Sequence, residues 1–500
     1  MEEKLNELKK RLGVVADLGY AAAVLGWDQQ CYMPPGGVAN RGSQLGTLRS
    51  LAHSKFVSEE VGALLEELKP YGESLDPESD EACLIEVTNR QYQKEVKVPN
   101  EFVAEFTRVT TIAHGAWEEA RAQDDFSHFQ PHLEKIVDMR RQYADFFKPY
   151  DHVYDPLLDD FEPGMKTAEV QEIFTSLRPK QVELIKAISE KPQVDDSFLS
   201  LHYQEKDQWE FGEEVITKYG YDWKRGRQDK AAHPFTTHFG VGDVRITTRV
   251  DENFLNTALF GTLHEAGHAI YEQGVAPEFT NSPLGEGASL AVHESQSRMY
   301  ENLLGRSHDF WTHFYPQLQN RFKTQLGNVD LETFYKGINK VEPSLIRVEA
   351  DEATYNLHIM LRLELEIALM EGKIAVSDLP EAWNERMEDY LGATPPNNAQ
   401  GVLQDVHWSA GYLGYFTTYA LGNLISNQLW EKIEQDIPGL SGQIQEGNFG
   451  ELLAWLRENV HRHGKKFKPQ YLVKKVVGET ISPEPYLKYL NEKFGAIYGL

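Results

Sequence analysis

Cysteine is scarce: Cys31 and Cys83 are the only two in 500 residues. A disulfide scaffold is thereby excluded, and neither cysteine belongs to a Cys-x-x-Cys pair. Both are expected as buried small apolar residues, in a cytoplasmic protein. Long apolar runs are missing as well. No stretch reaches the ~18 residues that a membrane span requires. The segment Met1–Lys10 is charged and amphipathic, without the apolar core of a secretory leader. Positive charge is in deficit, with 50 Lys and Arg against 77 Asp and Glu and a formal net charge of -27. A field of that sign argues against nucleic acid and anionic membrane surfaces as partners. Repeats, low-complexity runs and Ser/Gly-rich linkers are also absent. A chain of this length would usually divide into two or three domains. With no linker to divide it, the expectation is a single unit over 1–500, built as two lobes around one cleft. Hydrophobic residues make up 41% and aromatics 11%, enough for a sizeable core.

What is present is helical period, nearly everywhere. Residues 2–28 read as a helix with Leu5, Leu8, Leu12, Val15, Leu18 and Ala22 inward. Met33-Pro-Pro-Gly-Gly37 marks a loop. Further helices are expected at 41–53, 56–69, 78–95, 100–123, 131–148, 167–190, 197–205, 207–219, 307–326, 330–337, 343–370 and 378–391, with a loop over 148–164. The exception is 235–250, where Phe-Thr-Thr-His-Phe239 and Val-Arg-Ile-Thr-Thr-Arg-Val250 flank Gly240 and Gly242. That pattern predicts a β-hairpin. A lone hairpin is marginal, so it should pair with another short strand or line a site. It serves either as a brace or as an edge strand beside an extended peptide. The fold class expected is mainly α, with one small β-hairpin or sheet next to the active site. The basic run His461–Lys468 is expected as solvated surface.

The chemistry concentrates after the hairpin, in Gly261-Thr-Leu-His264-Glu265-Ala-Gly-His268-Ala-Ile-Tyr271. A helix is predicted here, capped by Asp251 or Asn253 and stopped at Gly274. On it, His264 and His268 lie one turn apart on one face. Two imidazoles so placed can hold one metal ion, with Glu265 between them positioned to activate a water. The plain alternative is two surface histidines on an ordinary helix. Gly267 costs about 1 kcal/mol against Ala inside a helix, which points to a close backbone approach by a neighbouring helix or a substrate strand. A second helix, predicted from Ser289 to Leu304, carries His293-Glu294. A helix-loop-helix return can bring Glu294 back to the two histidines. Two His and one Glu leave a fourth tetrahedral position open, the arrangement of catalytic rather than structural zinc.

Further on, Arg347 and Asp351 are four positions apart in the helix predicted over 343–370. They read as a local ion pair worth a few tenths of a kcal/mol. The stretch Gly401–Tyr419 crowds glycines and tyrosines with His407 and Trp408. It is either a buried aromatic cluster or a glycine-loosened loop aiming phenol and imidazole donors at a reacting carbonyl.

With these residues in view, the chain resembles the carboxypeptidase Taq family of metallocarboxypeptidases. The blocks that carry the resemblance are Leu25-Gly-Trp-Asp-Gln-Gln, His233-Pro-Phe235, Asp243-Val-Arg245-Ile-Thr247, His264-Glu265-x-x-His268 and His293-Glu294-Ser295. They continue with Ile346-Arg347-x-x-Ala350-Asp351 and Gly401-x-x-Gln404-Asp405-x-His407-Trp408. The resemblance implies a two-lobed helical fold around a long deep groove, usually as a homodimer. It implies release of single C-terminal residues from peptides with a free C-terminus, with broad specificity. It implies one zinc per chain on His264, His268 and Glu294, with cobalt able to substitute, and Glu265 as general base. The 407–419 stretch is similar to the tyrosine-rich segment of thimet-type oligopeptidases. By that similarity His407, Tyr412 and Tyr419 contact the substrate and its oxyanion; among Tyr412, Tyr415 and Tyr419 as oxyanion donor, Tyr419 comes first and Tyr415 is the reserve. A bidentate guanidinium suits the substrate carboxylate. Arg347 and Arg245 are the candidates, with His233 and His238 behind them. One position departs from distant zinc peptidases, which carry a carboxylate one turn after the ligand Glu. Here Arg298 stands there, so the acceptor for a ligand histidine must come from elsewhere, with Glu301 and Asp351 as the options. Two other functions fit the same residues less well: an oligopeptidase or dipeptidyl carboxypeptidase with the same metal chemistry, and a silent peptide-binding scaffold.

Overall fold

The structure, a computed structural model, describes residues 1–500. Backbone packing gathers them into two compact units. One comprises Met1–Val96, Asp195–Ile338 and Leu429–Gly478; the other comprises Lys97–Val194, Asn339–Gln428 and Glu479–Leu500. Each unit is discontinuous in sequence, and the chain passes repeatedly from one to the other. That interleaving explains why no single linker is visible in the composition.

Both units are helical. The first begins with the long helix Glu2–Cys31, whose Leu5, Leu8 and Leu12 are buried against Val61, Leu65 and Leu68 of Glu59–Ser74. Three short strands interrupt the helices: β1 (Gln228–Lys230), β2 (Thr236–His238) and β3 (Val244–Thr248). β2 and β3 form the expected hairpin, pairing antiparallel with Thr236 opposite Ile246 and His238 opposite Val244. β1, which carries no alternating pattern of its own, pairs parallel on the other side of β3. β2 and β3 both lie against the helix Leu255–Gly274. Val244 and Ile246 of β3 are fully buried.

That helix buries Leu263, Ala266, Ala269 and Ile270 completely. Its amino end differs from the sequence expectation. Phe254 occupies the cap position without a side-chain hydrogen bond, and the Asp251 carboxylate instead accepts from the Asn253 N–H at 2.8 Å. Gly267 is where the next helix, Leu290–Arg298, crosses. A Cβ there would stand 2.6 Å from the Gln296 carbonyl oxygen and 2.7 Å from Ser297 Cα. Both are backbone atoms that cannot swing aside, so the helix-packing reading of this glycine holds. We expect Gly267→Ala to destabilise the protein by about 1–3 kcal/mol through overpacking. A rise in denaturant midpoint, as helix propensity alone would give, would show the two backbones are not in contact.

The second of these helices opens as predicted, with the Ser289 hydroxyl accepting from the Val292 N–H at 3.1 Å. It then changes pitch, ending in one π-helical turn, Met299–Leu304. Other expectations require correction. The helix predicted over 343–370 begins only at Tyr355. Before it lies a single 3-10 turn, Arg347–Glu349. The Asp351 carboxylate accepts from the N–H groups of Ala353 and Thr354 at 2.9 and 3.0 Å, which ties down the chain entering the helix. It therefore makes no local pair with Arg347. Residues 197–205 hold one 3-10 turn, Ser197–Ser200, rather than a helix. The 148–164 loop contains the short helix Asp155–Asp159. Cys83 is buried but Cys31 is only partly so. Finally, His461 is not surface: it is fully buried, and its Nε2 lies 2.9 Å from Gln296 Oε1.

Candidate metal centre

His264 and His268 project from one face of the Leu255–Gly274 helix with ring centroids 4.9 Å apart. Glu294, from the crossing helix, turns its carboxylate toward both. Its Oε2 is 3.6 Å from His264 Nε2 and 3.5 Å from His268 Nε2. All three ligand atoms lie within 4.8 Å of one another. Ligands at about 2.1 Å from a tetrahedral ion stand about 3.4 Å apart, so the spacing fits a small divalent cation. Hydrogen bonding fits it too. The Nδ1 atom of each ring is already engaged, by Glu301 Oε2 at 2.8 Å for His264 and by His293 Nδ1 at 2.6 Å for His268. Each histidine thus presents Nε2 inward.

Charge around the centre follows from burial and neighbours. Burial penalises the Glu294 carboxylate, but Arg298, His264 and His268 outweigh it and hold it well below the usual carboxylate range. Arg298 donates to Glu294 Oε1 at 2.7 Å and to Glu301 Oε2 at 3.3 Å. Arg298, four positions after Glu294, therefore holds that carboxylate in place. The carboxylate serving His264 is Glu301, from the π-helical turn, and Asp351 plays no part in it. Burial would likewise lift Glu301, yet Arg298 and His264 bring it down to about 2. His268 is pushed down to about 4, chiefly by burial. On His264 burial also acts downward, but Glu294 and Glu301 reverse it and raise the pKa.

Glu265 is buried beside the pair, and burial raises its pKa. The β2 residue Thr236 donates its hydroxyl to Glu265 Oε2 at 2.6 Å. Sequence reasoning missed Thr236; only the fold reveals that the hairpin reaches the helix at this residue.

A model of the carboxypeptidase Taq (M32) metallopeptidase family matches residues 7–494. The chain belongs to this family. Carboxypeptidase Taq relatives include thermostable carboxypeptidase 1 of Thermus thermophilus, 41% identical over 99% of both chains. Carboxypeptidase 1 of Bacillus subtilis is 37% identical over 99% of this chain and 98% of that one. The crystal structure of the M32 carboxypeptidase of Deinococcus radiodurans superposes with a TM-score of 0.97 at 41% identity, each chain covered completely. Membership makes the protein a metal-dependent peptide hydrolase of carboxypeptidase type, and the His264, His268 and Glu294 triad is its candidate metal centre.

The remaining candidates divide by unit. In the first unit, Arg245 on β3 is clamped by Asp243 at 2.8 and 2.7 Å and stacked between Trp27 and Phe239, at 4.4 and 4.8 Å from their ring centroids. His238 Nε2 is 3.8 Å from Glu272 Oε2, and its ring meets Tyr20 edge-on. His233 is exposed.

In the second unit, Arg347 is buried and gives its Nη2 to Asp405 Oδ1 at 2.7 Å and its Nη1 to the Tyr355 hydroxyl at 2.9 Å. Arg362, fully buried, takes Asp405 Oδ2 at 2.8 Å. His407 follows, its ring 4.5 Å from Phe416 and 5.2 Å from Tyr415. Burial pushes His407 down to about 4, so it is neutral near pH 7. Tyr415 stacks on Tyr412 at 5.8 Å and meets Tyr419 edge-on at 5.4 Å. The loop carrying them is pinned from behind. Glu366 accepts from Tyr154, Trp408 and the Gly414 N–H at 2.6, 2.7 and 2.8 Å. Gly414, at φ 101, packs so closely on Leu157 that a Cβ would lie 2.6 Å from its carbonyl oxygen.

Proposed function

We propose that the chain removes single C-terminal residues from peptides, with broad specificity, using a divalent ion on His264, His268 and Glu294 and Glu265 as general base. The observation that carries this reading is the convergence of two Nε2 atoms on one Glu294 oxygen beside a buried carboxylate outside the ligand set. Zinc is the ion we assign to this donor set, one per chain, with cobalt as a substitute. Held there, such an ion supplies a Lewis acid that makes water acidic enough to lose a proton near neutral pH.

Glu265 takes that proton. Its raised pKa brings it closer to the working pH, which favours transfer in both directions. Thr236 fixes which oxygen faces the substrate. The protonated Glu265 then delivers the proton to the leaving amine. We assign the oxyanion contacts to His407 with Tyr412, Tyr415 or Tyr419, Tyr419 foremost. Within their own unit these rings pack against one another and are backed by Glu366, which suits donors that must be placed before the reaction.

For the substrate carboxylate, Arg347 is favoured over Arg245. Arg245 is matched one to one by Asp243, whereas Arg347 and Arg362 share the single carboxylate of Asp405. The nearby Glu366 offsets that surplus only in part, because burial pushes it up to about 7. A positive cluster with a charge in excess favours an anion. His233 and His238 stay behind both arginines. The two unpaired cysteines suit a reducing compartment, the cytoplasm, and the resemblance suggests a homodimer.

Digestion of one decapeptide, followed by mass spectrometry, tests the reading. We expect a ladder of single-residue losses from the carboxyl end, abolished by a chelator and restored by zinc. Losses in pairs or internal fragments would make the protein a dipeptidyl carboxypeptidase or an oligopeptidase. An undigested peptide with metal-replete protein would leave only a binding role.

A further inference from the structure

His264 and His268 differ in what stands behind them. Each must keep its proton on Nδ1 if Nε2 is to face the ion. For His264 a carboxylate, Glu301, accepts that proton directly. On His268 the partner at Nδ1 is not a carboxylate: that atom is 2.6 Å from another imidazole nitrogen, Nδ1 of His293. Two ring nitrogens at that separation need one N–H and one lone pair. With the proton on His268, His293 must accept at Nδ1 and carry its own proton on Nε2. That Nε2 lies 2.6 Å from Glu272 Oε1, an acceptor. The sequence of donors and acceptors closes without conflict in this direction.

The His293 ring is also mechanically fixed. Tyr271 meets it edge-on at 5.1 Å, and Gly287 leaves no room behind it, since a Cβ there would stand 2.9 Å from His293 Cδ2. The Tyr271 hydroxyl in turn accepts from the Ala288 N–H at 2.9 Å. Glu272 is 4% exposed, and its second oxygen makes no hydrogen bond, facing His238 Nε2 at 3.8 Å. Its ion-pair contacts are with His293 at 2.6 Å and His238 at 3.8 Å, so His293 is its near partner.

We propose that His293 and Glu272 are positioning residues forming a His268–His293–Glu272 relay that fixes the tautomer and ring orientation of the second metal-binding histidine. The proposal rests on the reading of His264, His268 and Glu294 as ligands. It also explains why Glu294 follows directly after a histidine: on the crossing helix, one residue faces the ion while its neighbour supports the ligand opposite.

Zinc affinity, measured by chelator competition, is the readout, and it needs no turnover. His293→Phe fills the ring space but offers no acceptor, and it should bind zinc about 10- to 100-fold more weakly than wild type. His293→Gln supplies an oxygen to accept from His268 and an amide to donate to Glu272, and it should recover most of that loss. Wild-type affinity in the Phe variant, or equal losses in both variants, would overturn the relay. Should the Phe variant fail to fold, ¹⁵N-histidine NMR of the zinc-loaded wild type decides: a neutral His293 protonated at Nε2 is expected, and protonation at Nδ1 would refute it. Glu294→Ala separates the two levels. If that variant keeps wild-type zinc affinity, the ligand assignment fails rather than the relay.

Discussion

Glu265→Gln is expected to lower turnover by about 10²- to 10⁴-fold while zinc content stays at the wild-type level. The substitution keeps the side chain's size and one oxygen. That oxygen can still accept the Thr236 hydroxyl, which now lies 2.6 Å from Oε2. Nothing else in the site needs to move. Glu265 is outside the triad, so the ion loses no donor. What disappears is a group able to hold a proton between attack and departure of the amine. Stability should not fall, because burial already disfavours the charged form and a neutral amide avoids that cost. The measurement is kcat on a short peptide, with metal per chain determined on the same preparation. Activity within about tenfold of wild type in the metal-replete variant would remove Glu265 as the base, since that is less than general-base catalysis contributes.

The boundary between what the sequence discloses and what it hides follows physical range. Spacing of three or four residues is local, so the His264–His268 face and the Ser289 cap are both legible from the chain alone. Apolar period likewise sets the helices 100–123, 167–190 and 378–391, all found within a residue or two. The return of Glu294 is legible because one loop links its helix to the first. Contacts over longer stretches leave no mark. His461 looks like part of a basic surface run, and only the fold shows it buried beneath Tyr271, 165 positions from its partner Gln296. Strand β1 has no alternation to betray it, because three residues beside β3 need none. Helical spacing pairs Arg347 with Asp351. Its partner is Asp405, 58 positions away, because the helix that would have paired the first two starts too late. The sequence leaves Glu301 and Asp351 as equal options for the acceptor behind a metal-site histidine, because the π-helical turn that brings Glu301 to His264 has no sequence signature we can name.

Asp405→Asn carries the largest expected cost in stability. Two guanidiniums, 5% and 0% exposed, depend on this one carboxylate. Asp405 accepts Arg347 on one oxygen and Arg362 on the other. Burial would raise its pKa, yet Arg362 and Arg347 hold it far below the usual range, which shows how strongly the cluster favours the ionised form. An amide removes the only full negative charge between them and turns an N–H toward donors. Breaking a buried pair by removing one partner costs roughly 3–5 kcal/mol. Here two cations lose their counter-charge at once, so the upper end of that range is expected in a thermal or denaturant transition of the second unit. Adding Arg362→Met to Asp405→Asn should restore part of the loss, because one buried charge then leaves with its partner. An Asp405→Asn protein that melts with wild type would mean that water reaches the cluster. In that case the excess positive charge behind Arg347 would be screened, and the argument preferring it to Arg245 for the substrate carboxylate would fall with it.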